Sequence, residues 1–506
     1  MDIILNFDII LIGLCTINSR ANLLNRGEYM LVATKRPDNR IVRVKRTQGA
    51  LILYSNNGNI KLEPKSDEII RVVYTLKDNF SDQEKPGVLC KDVYDEWNHY
   101  EDNNEIILNT NKITLRINKD TALFQYFDKD GKLLLKERDY ESKSLEEFSS
   151  YTTVLDEDTK VEKVVTPDGV KEVVKEANKV FDQKLYRTRL HIDWQENESI
   201  YGLGQNEEGS LDLRGTTVYL HQANMNIAVP LLVSSLGYGI LVDTYSPMIF
   251  NDTNFGSYIY TEADYEMDFY FIYGRDMDGV IGGYRYLTGK ATMLPKWSFG
   301  FIQSQERYET ANELIDVVKE YRKRKIGLDC IVLDWLSWPG NLWGQKTFDP
   351  ERFPDPTAMI DKLHENNVKF MISIWPSMSE ECHNYKELKE KGLLLPASNI
   401  YNPYIEEGRK VYWKQVEEGL YCHGIDAWWC DSSEPFTPEW NHNVQPEPSA
   451  MYYEFYNTSS QHIPAQLTNS YSLYHAKTLY DGQRNMTNDK RVANLTRSGY
   501  TGQQRY

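Results

Sequence analysis

Hydrophobic and polar positions follow two different rhythms along this chain, and the change falls near residue 290. From residue 27 to that point the apolar residues come in short alternating runs. They include Tyr29–Lys35, Gly49–Ser55, Glu68–Leu76, Glu105–Thr110, Lys112–Asn118, Ala122–Asp128, Tyr238–Ser246 and Met267–Gly274. A period of two puts one face of a strand on a core and the other toward water, and turn clusters such as NNGN and DKDGK separate the runs. The pattern predicts a large antiparallel β-sandwich over residues 27–290. Within it, the charged stretch from Lys136 to Gln183 predicts a solvated excursion or a long hairpin. Residues 1–26 read as an N-terminal extension. Their apolar run carries Asp2 and Asp8, lacks a basic leader, and is too interrupted to span a membrane.

Beyond residue 290 strand-like and helical patterns alternate. Five continuous apolar runs, Phe299–Gln305, Cys330–Trp335, Lys369–Pro376, Asp426–Ser433 and Val492–Ser498, are separated by amphipathic segments. Thr310 and Glu313 are spaced as a capping box ahead of a face made by Leu314, Val317, Val318 and Tyr321. Asp355 followed by Pro356 signals a second helix start. Strand–helix repetition with fully apolar strands predicts a parallel sheet, and an α/β (β/α)8 TIM-type barrel over residues 291–506 is the leading fold.

In such a barrel the chemistry sits at the C-terminal ends of the strands. The runs end in Gln303, Gln305 and Glu306; in Asp334, Trp335 and Trp338; in Trp375; in Asp431 and Glu434; and in Arg497. Tryptophan offers a stacking wall, carboxylates bind hydroxyls or attack an anomeric carbon, and arginine forks onto hydroxyls or holds a carboxylate ionised. This set suits a glycoside or oligosaccharide substrate and calls for no metal and no redox cofactor. None of the nine histidines falls in HExxH or HxH spacing, and neither a GxGxxG loop nor a GxSxG elbow is present.

Composition narrows the picture further. A net charge of −17 argues against a nucleic-acid partner. The 35 tyrosines and 11 tryptophans supply flat apolar faces with polar handles. The six cysteines, including Cys15, Cys330 and Cys430, show no CxxC pairing, so free thiols in a cytoplasmic protein with no membrane span are expected.

Six ordered blocks, YGLGQNEEGSLDLRG, LPKWSFGFIQSQERYETANEL, YRKRKIGLDCIVLDW, FDPERFPDP, GIDAWWCDSSEP and LTRSGYTGQQRY, together resemble glycoside hydrolase family 31, the α-glucosidase and α-xylosidase family. The resemblance implies a galactose-mutarotase-like sandwich, a barrel and a retaining, exo-acting α-glycosidase working on terminal α-xylosides or α-glucosides. It places the nucleophile on Asp431, a supporting acidic residue on Glu434, and innermost-subsite contacts on Asp334, Trp429 and Arg497, with Trp335 and Trp375 at the rim. It also assigns the general acid/base to a segment following Tyr506. Five strand runs, where a barrel has eight, lead to the expectation of a barrel incomplete at its C-terminal end. A fragment with impaired turnover, or a non-catalytic carbohydrate-binding remnant, is expected from that shortfall. A transglucosidase or an α-N-acetylgalactosaminidase lies within the same family range, and a homo-oligomer is expected of a full-length form.

Overall fold

A computed structural model describes residues 37–154, 159–166, 169–207, 209–437 and 444–506. The extension over residues 1–26, the run Tyr29–Lys35 and Cys15 lie outside these residues.

The alternating half folds as two facing antiparallel sheets. One has eight strands in the order 41–47, 50–55, 58–66, 69–75, 267–273, 238–242, 227–234 and 200–205. The other has ten, running 217–220, 248–253, 256–264, 178–193, 133–137, 124–128, 113–118, 105–109 and 98–101, with 143–154 also paired to 178–193. Their inner faces interdigitate through Leu51, Leu53, Leu62 and Val72 on one side and Ile106, Leu115, Ile117 and Phe124 on the other, all fully buried. Tyr126 stacks on Phe271 across the gap with ring centres 4.1 Å apart. Strand Ile69–Thr75 is buried on both faces because helix Met277–Thr288 covers the outside of its sheet, setting Val280 and Leu287 against Ile69, Tyr270 and Ile272. The charged excursion is a long hairpin. Lys143–Val154 pairs antiparallel with Asn178–Asp193, and a second hairpin, Lys160–Thr166 with Gly169–Glu176, continues from it.

The second half contains a five-stranded parallel sheet in sequential order: Ile302–Gln303, Cys330–Leu333, Lys369–Ile374, Ala427–Cys430 and Asn494–Thr496. Each expected run supplies one strand. The intervening helices begin where their caps direct. Thr310 accepts from the Glu313 N–H at 3.2 Å, and the Glu313 carboxylate accepts in return from the Glu309 N–H at 2.6 Å. Asp355 accepts from the Ala358 N–H at 2.9 Å, with Pro356 in the first turn. The face of helix Ala311–Lys323 is rotated slightly from expectation. Leu314, Ile315 and Val318 are buried, while Val317 and Tyr321 lie half-buried at its margin.

Alternation along the parallel strands separates two environments. Ile331, Leu333, Phe370, Ile372, Ile374, Trp428 and Cys430 point outward into the core shared with the helices. Cys330, Val332, Met371, Ala427, Trp429 and Ala493 point to the opposite face, against Trp297 and Ile302. The two adjacent tryptophans therefore have different fates. Trp428 is fully buried and its Nε1 donates to Gln483 at 3.2 Å, whereas Trp429 belongs to the inner face.

Candidate active site

Continuing that inner-face alternation past the strand ends brings Val332 to Asp334, Met371 to Ser373 and Trp375, Ala427 to Trp429 and Asp431, and Ala493 to Arg497. A period of two on neighbouring parallel strands thus collects one set of side chains at one end of the sheet.

At the centre lies a charge triad. Arg497 donates from Nε to Glu434 Oε1 and from Nη2 to Glu434 Oε2, each at 2.9 Å, and its Nη1 lies 3.1 Å from Asp431 Oδ1. The Arg497 N–H donates to the Cys430 carbonyl at 3.2 Å, so the base of the arginine is fixed in the sheet ladder. Ser432 takes a left-handed conformation, φ 51°, which turns the chain sharply after Asp431 and returns Glu434 beneath Arg497. Glu434 is fully enclosed and both its oxygens accept from one guanidinium, the strong forked geometry. Both of its carboxylate oxygens are thereby occupied. Asp431 stays partly open, and its Oδ1 also accepts from the Ser432 N–H at 2.8 Å.

Asp334 sits across from the triad. Burial pushes its carboxyl above the usual range, while the Trp335 N–H at 2.7 Å, Ser373, Trp429 and Arg497 favour its charged form and partly offset this. Ser373 is itself buried, so its hydroxyl meets Asp334 away from bulk water.

The remaining rim residues form an aromatic cluster. Trp335 and Trp338 each lie against Trp343, at 5.5 and 5.6 Å between ring centres, and Trp375 meets Trp343 edge-on at 4.9 Å. Arg307 covers the Trp335 ring at 5.4 Å. The indole N–H groups of Trp338, Trp343 and Trp375 are buried without acceptors. Trp375 is almost fully enclosed, with Trp343 edge-on against it. Its carbonyl accepts from Lys346 Nζ at 2.9 Å and from the Tyr412 hydroxyl at 2.8 Å. Burial without a carboxylate partner pushes Lys346 down to about 7.

Sequence reasoning passed over Trp343, Ser373 and Lys346. Ser373 follows from strict alternation with Trp375, but the position of Trp343 and Lys346 depends on the path of a loop. Gln303 and Gln305, expected at the rim, are tied up locally: Gln303 Oε1 accepts from the Tyr321 hydroxyl at 2.6 Å, and Gln305 donates to the Arg307 carbonyl at 2.8 Å. Among the described residues no three His, Cys, Asp or Glu side chains gather as a metal site, and no helix is long and apolar enough to cross a membrane.

Comparison with known proteins agrees with this architecture. The family description "Glycosyl hydrolases family 31 TIM-barrel domain" matches residues 291–506, and "Glycosyl hydrolase 31 N-terminal galactose mutarotase-like domain" matches residues 59–251. A protein named alpha-xylosidase from Saccharolobus solfataricus is 37% identical over 385 residues, covering 72% of this chain and 50% of its own length. Alpha-xylosidase A of Aspergillus niger is 26% identical over 341 residues, covering 61% of this chain and 45% of its own. The chain thus spans about half the length of these curated relatives. Among solved structures, the GH31 alpha-xylosidase of Xanthomonas citri superposes with a TM-score of 0.76 at 24% identity, covering 91% of this chain and 64% of that one. The ordered sandwich, the parallel sheet with its rim and the two matching family descriptions converge: the chain belongs to glycoside hydrolase family 31.

Proposed function

We propose that the chain carries the nucleophile and innermost sugar-binding site of a retaining exo-α-glycosidase acting on terminal α-xylosides. The observation that supports this best is the rim itself. Asp431 is a partly open carboxylate held 3.1 Å from Arg497, with Asp334, Ser373 and Trp429 on the adjoining strand ends.

In the double displacement, Asp431 Oδ attacks the anomeric carbon as the bond from that carbon to the aglycone oxygen breaks, giving a glycosyl ester. Arg497 keeps Asp431 ionised for that attack. Asp334 accepts from sugar hydroxyls, Ser373 supports the Asp334 carboxylate, and Trp429 supplies an apolar face. Glu434 holds the guanidinium in line. In a retaining site the aglycone oxygen is protonated by a second carboxyl about 5 Å from the nucleophile. Glu434 is bound on both oxygens and does not meet that role.

The α-xyloside is preferred over the α-glucoside because the 37%-identical relative is named alpha-xylosidase, whereas a protein named alpha-glucosidase from the same organism is 23% identical. A panel of aryl α-glycosides tests the reading, since their leaving groups need little protonation. Release of the aryl group from the α-xyloside faster than from the α-glucoside, with α-xylose as first product by NMR, is expected. Equal or better use of the α-glucoside would refute the substrate, and β-xylose as first product would refute retention.

A further inference from the structure

A buried amide of the sandwich reaches the turn that bears Arg497. Gln222 lies in the crossover between strand Thr217–Leu220 of one sheet and strand Ile227–Ser234 of the other, and is 2% exposed. Its Nε2 donates to the Gly499 carbonyl at 3.0 Å, with longer contacts of 3.4 Å to the carbonyls of Asn469 and Ala228. Its Oε1 accepts from Ser498 Oγ at 3.0 Å and from the Ala228 N–H at 3.4 Å. Donors face carbonyls and the acceptor faces a hydroxyl and an N–H, so the amide is matched in one orientation only.

The connection continues inward. The Ser498 N–H donates to Ser433 Oγ at 3.3 Å; Ser433 Oγ lies 3.1 Å from Thr496 Oγ1 and donates to the Cys430 carbonyl at 3.3 Å. Ser498 and Ser433 are both fully buried. Ser498 adjoins Arg497, and Ser433 lies between Asp431 and Glu434. Each member of the charge triad is therefore one or two residues from this chain of bonds.

We propose that Gln222 is a positioning residue: it fixes Ser498 and, through Ser498 and Ser433, sets the register of Arg497 against Asp431. This rests on the reading of Asp431 as nucleophile. A buried, fully matched hydrogen-bond network holds one geometry and is costly to leave half-made. Releasing Gln222 frees the Gly499 carbonyl and the Ser498 hydroxyl together, and the turn bearing Arg497 loses its fixed distance from the Asp431 carboxylate. A neighbouring contact provides a control. Gln466 Nε2 donates to the Tyr265 hydroxyl at 2.9 Å, another bond between the two halves of the chain but away from the triad.

The experiment measures the rate at which 5-fluoro-α-xylosyl fluoride labels Asp431 as a function of pH, beside thermal unfolding, in the wild-type chain and in Gln222→Leu, Ser498→Ala and Gln466→Leu. Gln222→Leu is expected to label about 10- to 100-fold more slowly at neutral pH, the cost typical of a small misplacement. Its acid limb should move to higher pH by about one unit, because a displaced Arg497 supports the charged carboxylate less. Ser498→Ala should shift the limb the same way by less, and it decides the matter if Gln222→Leu does not fold. Gln466→Leu should lower the unfolding temperature and leave the limb in place. Folded Gln222→Leu or Ser498→Ala protein with wild-type rate and limb would overturn the proposal, as would an equal shift in Gln466→Leu. No labelling of the wild-type chain would instead overturn the nucleophile assignment, and this inference with it.

Discussion

Replacing Arg497 by methionine separates the supporting role of the charge triad from its chemistry. The substitution keeps a stem of similar length but removes both donors to Glu434, whose side chain is 0% exposed, and the cation 3.1 Å from Asp431. Removing one member of a buried pair leaves an uncompensated charge and costs about 3–5 kcal/mol. Arg497 itself is 14% exposed, so some water can reach the vacated space and the lower end, about 3 kcal/mol, is the expectation. In a unit of this size each kcal/mol is worth about 2–4 °C, giving a fall of about 6–12 °C in calorimetry. Adding Glu434→Gln replaces the stranded charge with a neutral amide, so the double variant should regain a large part of the loss. Labelling at Asp431 should stay slow in both. Arg497→Met within about 1 kcal/mol of wild type by denaturant unfolding, or a double variant in which the two losses simply add, would refute the view that Arg497 compensates the buried Glu434.

Other perturbations test the frame around the site. Asp426, at the opposite end of strand Ala427–Cys430, accepts from His364 at 2.7 Å and the Phe370 N–H at 3.0 Å and pairs with Lys490 at 2.9 Å. Asp426→Asn should cost about 2–3 kcal/mol, in line with bonds to charged groups, while leaving the labelling rate of Asp431 unchanged. Burial pushes His475 down to about 3 and His221 to about 4, so both are neutral in the fold well below the ordinary histidine value of 6.5. The unfolded chain binds those protons, and stability should therefore fall as pH drops from about 6.5 toward 4, by about 1.4 kcal/mol per pH unit for each group. Unfolding free energies between pH 7 and 4.5 check this, and an unchanged slope in His475→Gln/His221→Gln would refute it. Gly482 sits inside helix Tyr471–Met486, where alanine ordinarily gains about 1 kcal/mol. A Cβ there would meet the Trp413 ring at 2.1 Å, so Gly482→Ala should lower the unfolding temperature, and a rise would contradict the packing.

Much of this arrangement is legible in the chain because it depends on period and position. Alternation alone separates Trp428 from Trp429 and sets Asp334, Asp431 and Arg497 on one face, and the caps at Thr310 and Asp355 follow from local chemistry. The five parallel strands appear as the five apolar runs. What the sequence does not disclose depends on contacts between distant segments. The bond from Gln222 to Ser498 spans 276 residues and joins the two halves. Trp343 reaches Trp375 only through the path of the loop after Leu333, and Lys346 becomes buried only once Trp375 and Tyr412 close around it. Asp431 and Glu434 look from their spacing like a catalytic pair. The left-handed turn at Ser432, which no residue type announces, places Glu434 under Arg497 with both oxygens occupied.

The most direct test of the central claim is to incubate the chain with 5-fluoro-α-xylosyl fluoride, digest it, and locate the added mass by tandem mass spectrometry. One 5-fluoropentosyl group on the peptide containing residues 426–434, attached at Asp431 and absent from Asp431→Asn, is the predicted result. A label on Asp334 or Glu434, or sugar binding with no covalent product, would contradict it.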